Sequence, residues 1–320
     1  MPPLNILITS DFTPCLAALD VLRPFGQVDY AYPATRDGVL QIIDRFDAVI
    51  CDAGIRFDES MLARAKRLRL IATPSTGTDH LDKPAIERRG IEWISITREY
   101  QLIERFTATA EAAWMLLLAC IRQLPFNFER ALQGQIGAFD RTNEPPQLSG
   151  KTLGVIGCGR LGRMVARFGA AFQMRVLVCD IKTIDQPGVE QVDLDALLRQ
   201  ADVVSLHVHL EDSTRHLISR EHIALMKPGV VLVNTARGDV IDEDALVDAL
   251  ESGHVAAAGL DVVHNEWDPN IAQHRLHQYA GTHHNLIITP HIASACREPT
   301  IESRTFIANK VAQRLAEWPR

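Results

Sequence analysis

Residues 152–180 read TLGVIGCGRLGRMVARFGAAFQMRVLVCD. An apolar run suited to a buried strand leads into Gly157-Cys158-Gly159-Arg160-Leu161-Gly162, a helical stretch follows, and a second apolar run ends on Asp180. Glycines at this spacing serve a tight turn, close approach of backbone to a diphosphate, and helix–strand packing. The free N–H groups opening the helix then favour phosphate charge. An acid at Asp180 can accept hydrogen bonds from ribose hydroxyls and repel a 2′-phosphate. The stretch therefore reads as a dinucleotide loop for NAD, preferred over NADP, although Lys182 nearby is a base compatible with the latter.

Outward from this loop, apolar strand-like runs alternate with amphipathic helical ones along the whole chain. The runs are 5–9, 48–51, 68–73, 91–96, 152–157, 175–180, 202–207, 230–234, 256–261 and 286–290. Continuous apolar strands suit sheets covered by helices on both faces, and strand–helix alternation builds right-handed parallel crossovers. The fold class expected is α/β, with two doubly wound parallel-sheet (Rossmann-like) domains and a cleft between them. Residues 101–132 break the rhythm and read as one long Ala/Leu-rich helix. The expected division is a discontinuous substrate-binding domain, 1–100 with 290–320, and a nucleotide-binding domain, 101–289. The amphipathic run 298–318 is the helix left over to return to the first domain.

The bulk numbers narrow the class. A chain of 320 residues accommodates about two domains. With 33 basic and 40 acidic residues the net charge is -7, which gives no support to a nucleic-acid or anionic-membrane partner. The opening MPPLNILITSDF carries no basic leader, and no apolar run is long enough to span a bilayer. Six cysteines without a CxxC pair suggest reduced thiols and a cytoplasmic location.

Several further motifs occur in order: STGTDHLD (75–82), TAEAAW (109–114), NTARGDVIDEDAL (234–246), GLDVVHNE (259–266) and TPHIAS (289–294). With the glycine loop, they resemble the D-isomer-specific 2-hydroxyacid dehydrogenases over nearly the whole chain. The resemblance implies an NAD(H)-dependent enzyme acting on a small 2-oxo or 2-hydroxy acid. Such a reaction needs a cation for the carboxylate, a proton donor for the carbonyl oxygen, and a hydride source. Arg237, just past a strand in a turn loosened by Gly238, can bind a carboxylate bidentately and polarise the carbonyl. His291, past strand 286–290, is a natural proton donor near neutral pH. Glu266 would pair with it, favour the imidazolium and fix its orientation.

By position, the resemblance assigns Ser75, Thr76 and Gly77 to the substrate carboxylate, with Thr76 also touching the cofactor. Gly157, Gly159, Arg160, Leu161 and Gly162 fall on the pyrophosphate, and Asp180 on the ribose. Thr235, Ala236 and Asp261 fall beside the nicotinamide ribose and carboxamide, and Ser294, just beyond the histidine, joins the cofactor positions. The start of the long helix resembles the family's dimerisation element, which implies a homodimer through 101–132.

The chain also departs from the family pattern. Val208 and His209 replace a Thr-Pro pair beside the adenosine, so Val208 would contribute backbone only. Trp267 follows the acid in place of proline. Asp52 stands where phosphoglycerate-type members carry a phosphate-binding arginine, which points to unphosphorylated substrates of the glyoxylate/hydroxypyruvate type. The other readings are a phosphoglycerate dehydrogenase, and an NAD(H)-sensing interaction protein of the dehydrogenase-like corepressor type. A formate dehydrogenase fits less well, because those enzymes carry glutamine where Glu266 stands. Five histidines crowd HRLHQYAGTHHNLIITPH (274–291). A zinc site there lacks a suitably spaced carboxylate, so no metal is expected, and the four before His291 are expected in a solvent-facing loop.

Overall fold

The computed structural model describes residues 3–137 and 144–319. They form two compact units, Met1–Phe106 with Ala295–Arg320, and Thr107–Ser294. The chain thus passes from one to the other a few residues later than the motif-based division at 100/101 and 289/290. His291 consequently travels with the nucleotide-binding unit.

The first unit holds β1 (Leu4–Ile8), β2 (Gly26–Tyr30), β3 (Ala48–Ile50), β4 (Leu70–Thr73) and β5 (Glu92–Ser95) in the order β2-β1-β3-β4-β5. Every pairing in it is parallel. The helix Arg297–Ala316 returns to close this unit, placing Ile307, Ala308, Val311 and Leu315 in its core beside Ile6, Ile8 and Leu22. Charged side chains register that helix at its edges. Arg314 Nε and Nη2 donate to Glu92 at 2.6 Å, and Lys310 pairs with Glu99.

The second unit holds β6 (Thr152–Ile156), β7 (Arg175–Cys179), β8 (Val189–Gln191), β9 (Val203–Leu206), β10 (Val230–Asn234), β11 (Val255–Leu260) and β12 (Leu286–Ile288). Their order is β12-β11-β10-β9-β6-β7-β8, again with every pairing parallel. The central strands β6, β9 and β10 are buried along their whole length, which is why their sequences are unbroken apolar runs. The reversal of strand order between β6 and β9 leaves a crevice outside their carboxyl ends, the place where open α/β sheets bind ligands.

The single helix expected over 101–132 is three: Tyr100–Ile103, Ala108–Ile121 and Leu124–Leu132. The last break has a local cause. Pro125 suits the first turn of a new helix but in a continuous one would clash with the carbonyl of Ile121, and Gln123 turns the chain at φ 50°. No helix among the described residues is long and apolar enough to cross a membrane.

Candidate active site

The glycine loop leaves β6 and opens the helix Arg160–Ala171. Its three glycines meet different demands. Gly157 has φ +85°, and a Cβ there would fall 2.7 Å from the His207 carbonyl oxygen and 2.9 Å from Val208 Cγ1. A Cβ on Gly162 would fall 2.0 Å from the Gly157 oxygen, so this glycine lets the helix seat on the turn. A Cβ on Gly159 would meet nothing within 4 Å, so the loop is open at the point where a diphosphate has to approach. Asp180, at the end of β7, accepts from the Cys158 N–H at 2.7 Å and from the Lys182 N–H at 2.9 Å. Lys182 is therefore tied to this carboxylate through its backbone. Val208 reaches the loop as a side chain against Gly157, a packing role beyond the backbone contact expected of it.

After β10, Asn234 builds the turn that carries Arg237. Its buried side chain accepts from Ala236 N at 2.9 Å and donates to the Arg237 carbonyl at 2.8 Å. Arg237 is half-buried, and its Nη1 donates to the Ala236 carbonyl at 2.7 Å. Gly238 is required by contact and not by freedom of turn. A Cβ there would lie 2.0 Å from the carbonyl carbon of Val263. Beside this turn, Thr235 Oγ1 is buried with no hydrogen-bond partner among the described residues. A buried hydroxyl without a partner is costly unless a ligand completes it. Together with open Gly159 and the Asp180 carboxylate, it fits the binding of a dinucleotide by this unit.

His291 follows β12 in a backbone conformation of φ +53°, unusual for a residue with a side chain. Asp261, buried at the end of β11, imposes it. Its Oδ1 accepts from Thr289 Oγ1 at 2.6 Å and Ile292 N at 2.9 Å, and its Oδ2 from Ala293 N at 2.8 Å. The His291 N–H donates to the Asp261 carbonyl at 2.9 Å. Asp261 was expected beside the cofactor; both its carboxylate oxygens are engaged in shaping the histidine loop. With the ring so placed, His291 Nδ1 lies 2.7 Å from Glu266 Oε1, and both side chains are largely shielded. This contact leaves Nε2 as the ring atom able to face a substrate. The Trp267 ring lies 6.2 Å from the imidazole, centre to centre, and is mostly exposed. Ser294 is exposed one residue beyond buried Ala293.

In the other unit, Ser75, Thr76 and Gly77 form the loop after β4. Ser75 N donates to Thr73 Oγ1 at 3.3 Å, and Thr97 Oγ1 donates to the Thr76 carbonyl at 2.7 Å. At the carboxyl ends of β1 and β3, Asp52 accepts from Ser10 Oγ at 2.7 Å and from Asp11 N at 3.1 Å. It also pairs with Arg304 at 3.2 Å. Asp52 is therefore a neutralised partner of an arginine and not the bare repulsive charge its sequence position suggested.

The histidine-rich stretch divides. His277 lies in a helix, Arg275–Ala280, with His274 as its N-cap residue, where a loop was expected. His274 Nε2 contacts Asp268 at 3.0 Å, His283 stacks on Tyr279, and His284 contacts Glu129 at 2.6 Å. Among the described residues, no group of three or more His, Cys, Asp or Glu gathers as metal ligands would.

Comparison with known proteins identifies the family. The family profile described as D-isomer specific 2-hydroxyacid dehydrogenase, NAD binding domain, matches residues 114–293, and its catalytic-domain counterpart matches 6–102. A glyoxylate reductase of Thermofilum pendens is 36% identical over 295 residues, covering 89% of this chain and 81% of its own. A hydroxypyruvate reductase of Thermotoga maritima is 35% identical, covering 82% and 83%. The crystal structure of a D-lactate dehydrogenase from Aquifex aeolicus, complexed with NAD and lactic acid, superposes with a TM-score of 0.86. It is 28% identical, over 98% of this chain and 95% of that one. The chain belongs to the D-isomer specific 2-hydroxyacid dehydrogenases and is an NAD-dependent oxidoreductase of that family.

Proposed function

We propose that this enzyme reduces a small, unphosphorylated 2-oxo acid of the glyoxylate or hydroxypyruvate type, with His291 as the acid, Glu266 as its partner and Arg237 as the carboxylate anchor. The observation that carries the proposal is the 2.7 Å contact of His291 with Glu266 at the carboxyl edge of the sheet that also carries the Arg237 turn. Bound NADH supplies the hydride. Arg237 neutralises the substrate carboxylate and draws electron density from the adjacent carbonyl. His291, protonated and held by Glu266, delivers its proton from Nε2 to the carbonyl oxygen as the 2-hydroxy acid forms.

Two features support an unphosphorylated substrate. Asp52 occupies the edge where a phosphate-binding cation would be needed, and it neutralises Arg304, the cation that does reach that edge. Among the relatives, the glyoxylate and hydroxypyruvate reductases are matched over 81% and 83% of their own length, and the D-3-phosphoglycerate dehydrogenases over 54–57% of theirs. The test is a panel of glyoxylate, hydroxypyruvate, pyruvate and 3-phosphohydroxypyruvate with NADH and NADPH, followed at the nicotinamide absorbance. The first two are expected to give kcat/KM at least about 100-fold above the phosphorylated acid, a discrimination of ~3 kcal/mol. Preference for the phosphorylated acid would overturn the reading.

The same reading includes a cytoplasmic homodimer. Met115, Leu124, Phe126, Phe128 and Leu132 are large apolar side chains left exposed on the helices Ala108–Ile121 and Leu124–Leu132, a patch suited to a second copy. Its test is the mass in solution of wild type and of Phe128→Asp with Leu132→Asp. A monomer in the double variant and a dimer in wild type are expected.

A further inference from the structure

Glu266 sits on a loop that leaves the end of β11, and the conformation of that loop is set from outside it. Asn265, just before the acid, has φ +51°, a left-handed turn that asparagine accepts more readily than most residues and that the surroundings of the loop hold in place. The surroundings are the Arg237 turn. Gly238 presses on the Val263–His264 peptide so closely that a Cβ would lie 2.0 Å from one atom of it and 2.2 Å from the next. His264 Nδ1 lies 2.7 Å from Asp239 Oδ1, an oxygen that also accepts from Arg215 Nη1 at 2.8 Å. The His264 N–H donates to Glu243 Oε1 at 2.5 Å. On the far side of the acid, Asp268 accepts from Asn270 N at 2.8 Å and contacts His274 at 3.0 Å. Asp239 is two residues from Arg237, and His264 is two residues from Glu266.

We infer that His264 is a positioning residue: by clasping Asp239 it fastens the loop of the acid partner Glu266 to the turn that presents Arg237. The role needs no contact with substrate or cofactor, and the side chain is mostly exposed. Its effect passes through Glu266 to the orientation of His291. Arg237 keeps a separate support in Asn234, so the clasp governs the proton-transfer arm more than the carboxylate arm. The inference rests on the proposed roles of Glu266 and His291.

The test is a double-mutant cycle in the full-length enzyme, reading kcat, KM for glyoxylate and the Kd of NADH. His264→Ala is expected to lower kcat about 10-fold or more, the scale of a lost outer hydrogen bond that orients a reacting group. KM and the NADH Kd should change less than about 3-fold. His264→Asn, whose amide nitrogen falls near the position of Nδ1, should restore most of kcat. In a Glu266→Gln background, His264→Ala should cost less than about 2-fold more, because the arm it holds is already disabled. A full additional loss in that background, or failure of asparagine to rescue, overturns the clasp. If Glu266→Gln itself leaves kcat unchanged, the acid–base reading fails; if Glu266→Gln is crippling and His264→Ala is silent, only the clasp fails.

Discussion

His291 Nδ1 and Glu266 Oε1 lie 2.7 Å apart, although the residues are 25 positions apart and leave different strands. The strands they leave, β11 and β12, are paired neighbours, and Asp261 fixes the histidine loop at their ends, its carboxylate gathering three donors. Removal of the imidazole by His291→Ala is expected to lower kcat by about 10³-fold, within the range of general acid catalysis. NADH binding, followed by fluorescence titration, should stay within about twofold. Near-normal turnover in that variant would remove His291 from the mechanism.

Asp261→Asn should reproduce part of that loss by another route. An amide can accept but not from every donor now served, so one backbone N–H of residues 292–293 loses its partner. A cost of about 1–3 kcal/mol in stability is expected for the unsatisfied buried group. It should appear as a lower urea midpoint, together with a fall in kcat that exceeds any rise in NADH Kd.

Two glycines of one loop should behave in opposite ways. Gly162→Ala drives a methyl group to within 2.0 Å of a backbone oxygen, so it should destabilise the fold by about 1–3 kcal/mol or more. Gly159→Ala meets nothing in the protein and should leave the melting temperature nearly unchanged. On the proposed reading its methyl group meets the cofactor diphosphate, so NADH binding should weaken about tenfold or more. Thermal denaturation and cofactor titration on the two variants separate the roles. Equal melting temperatures would contradict the packing assigned to Gly162.

Acid should weaken the fold partly through His207, which follows β9 behind the glycine loop and contacts Ser205 Oγ at 2.9 Å. Burial pushes its imidazole down from 6.5 to about 4. Between those values the unfolded chain binds the proton more readily than the folded one, so stability is complete above pH 6.5 and falls as pH drops toward 4. The slope from this one group is at most about 1.4 kcal/mol per pH unit. Urea midpoints measured across that window should fall less steeply in His207→Gln than in wild type, and parallel profiles would remove His207 as the cause.

The parts of the molecule legible in sequence were those where one residue type serves one local need. The glycine loop, Asp180 at the end of β7 and the apolar central strands are of this kind. The two strands that escaped notice, β2 and β8, lie at sheet edges. One face or one side of them meets solvent, so GQVDY and VEQ carry no apolar run to mark them. The break at Gln123 was signalled by Pro125, but the helix-favouring residues on both sides carried the reading through it. Partnerships across the chain were hidden altogether. Asp52 with Arg304, 252 positions away, and His264 with Asp239 depend on which strand ends the topology makes neighbours. The partners of the histidines around 274–291 were hidden as well: His274 meets Asp268, His283 stacks on Tyr279, and His284 reaches Glu129, 155 positions away.

The return of the helix Arg297–Ala316 to the first unit has a consequence for biosynthesis. The core around Ile6, Ile8 and Leu22 lacks Ile307, Val311 and Leu315 until the ribosome has passed residue 315. Everything in Thr107–Ser294 is translated before that moment. The second half of the chain can therefore finish folding while the first half, made earlier, is still waiting for its last helix. During that interval the apolar strands of the N-terminal sheet are the segments a chaperone would find exposed.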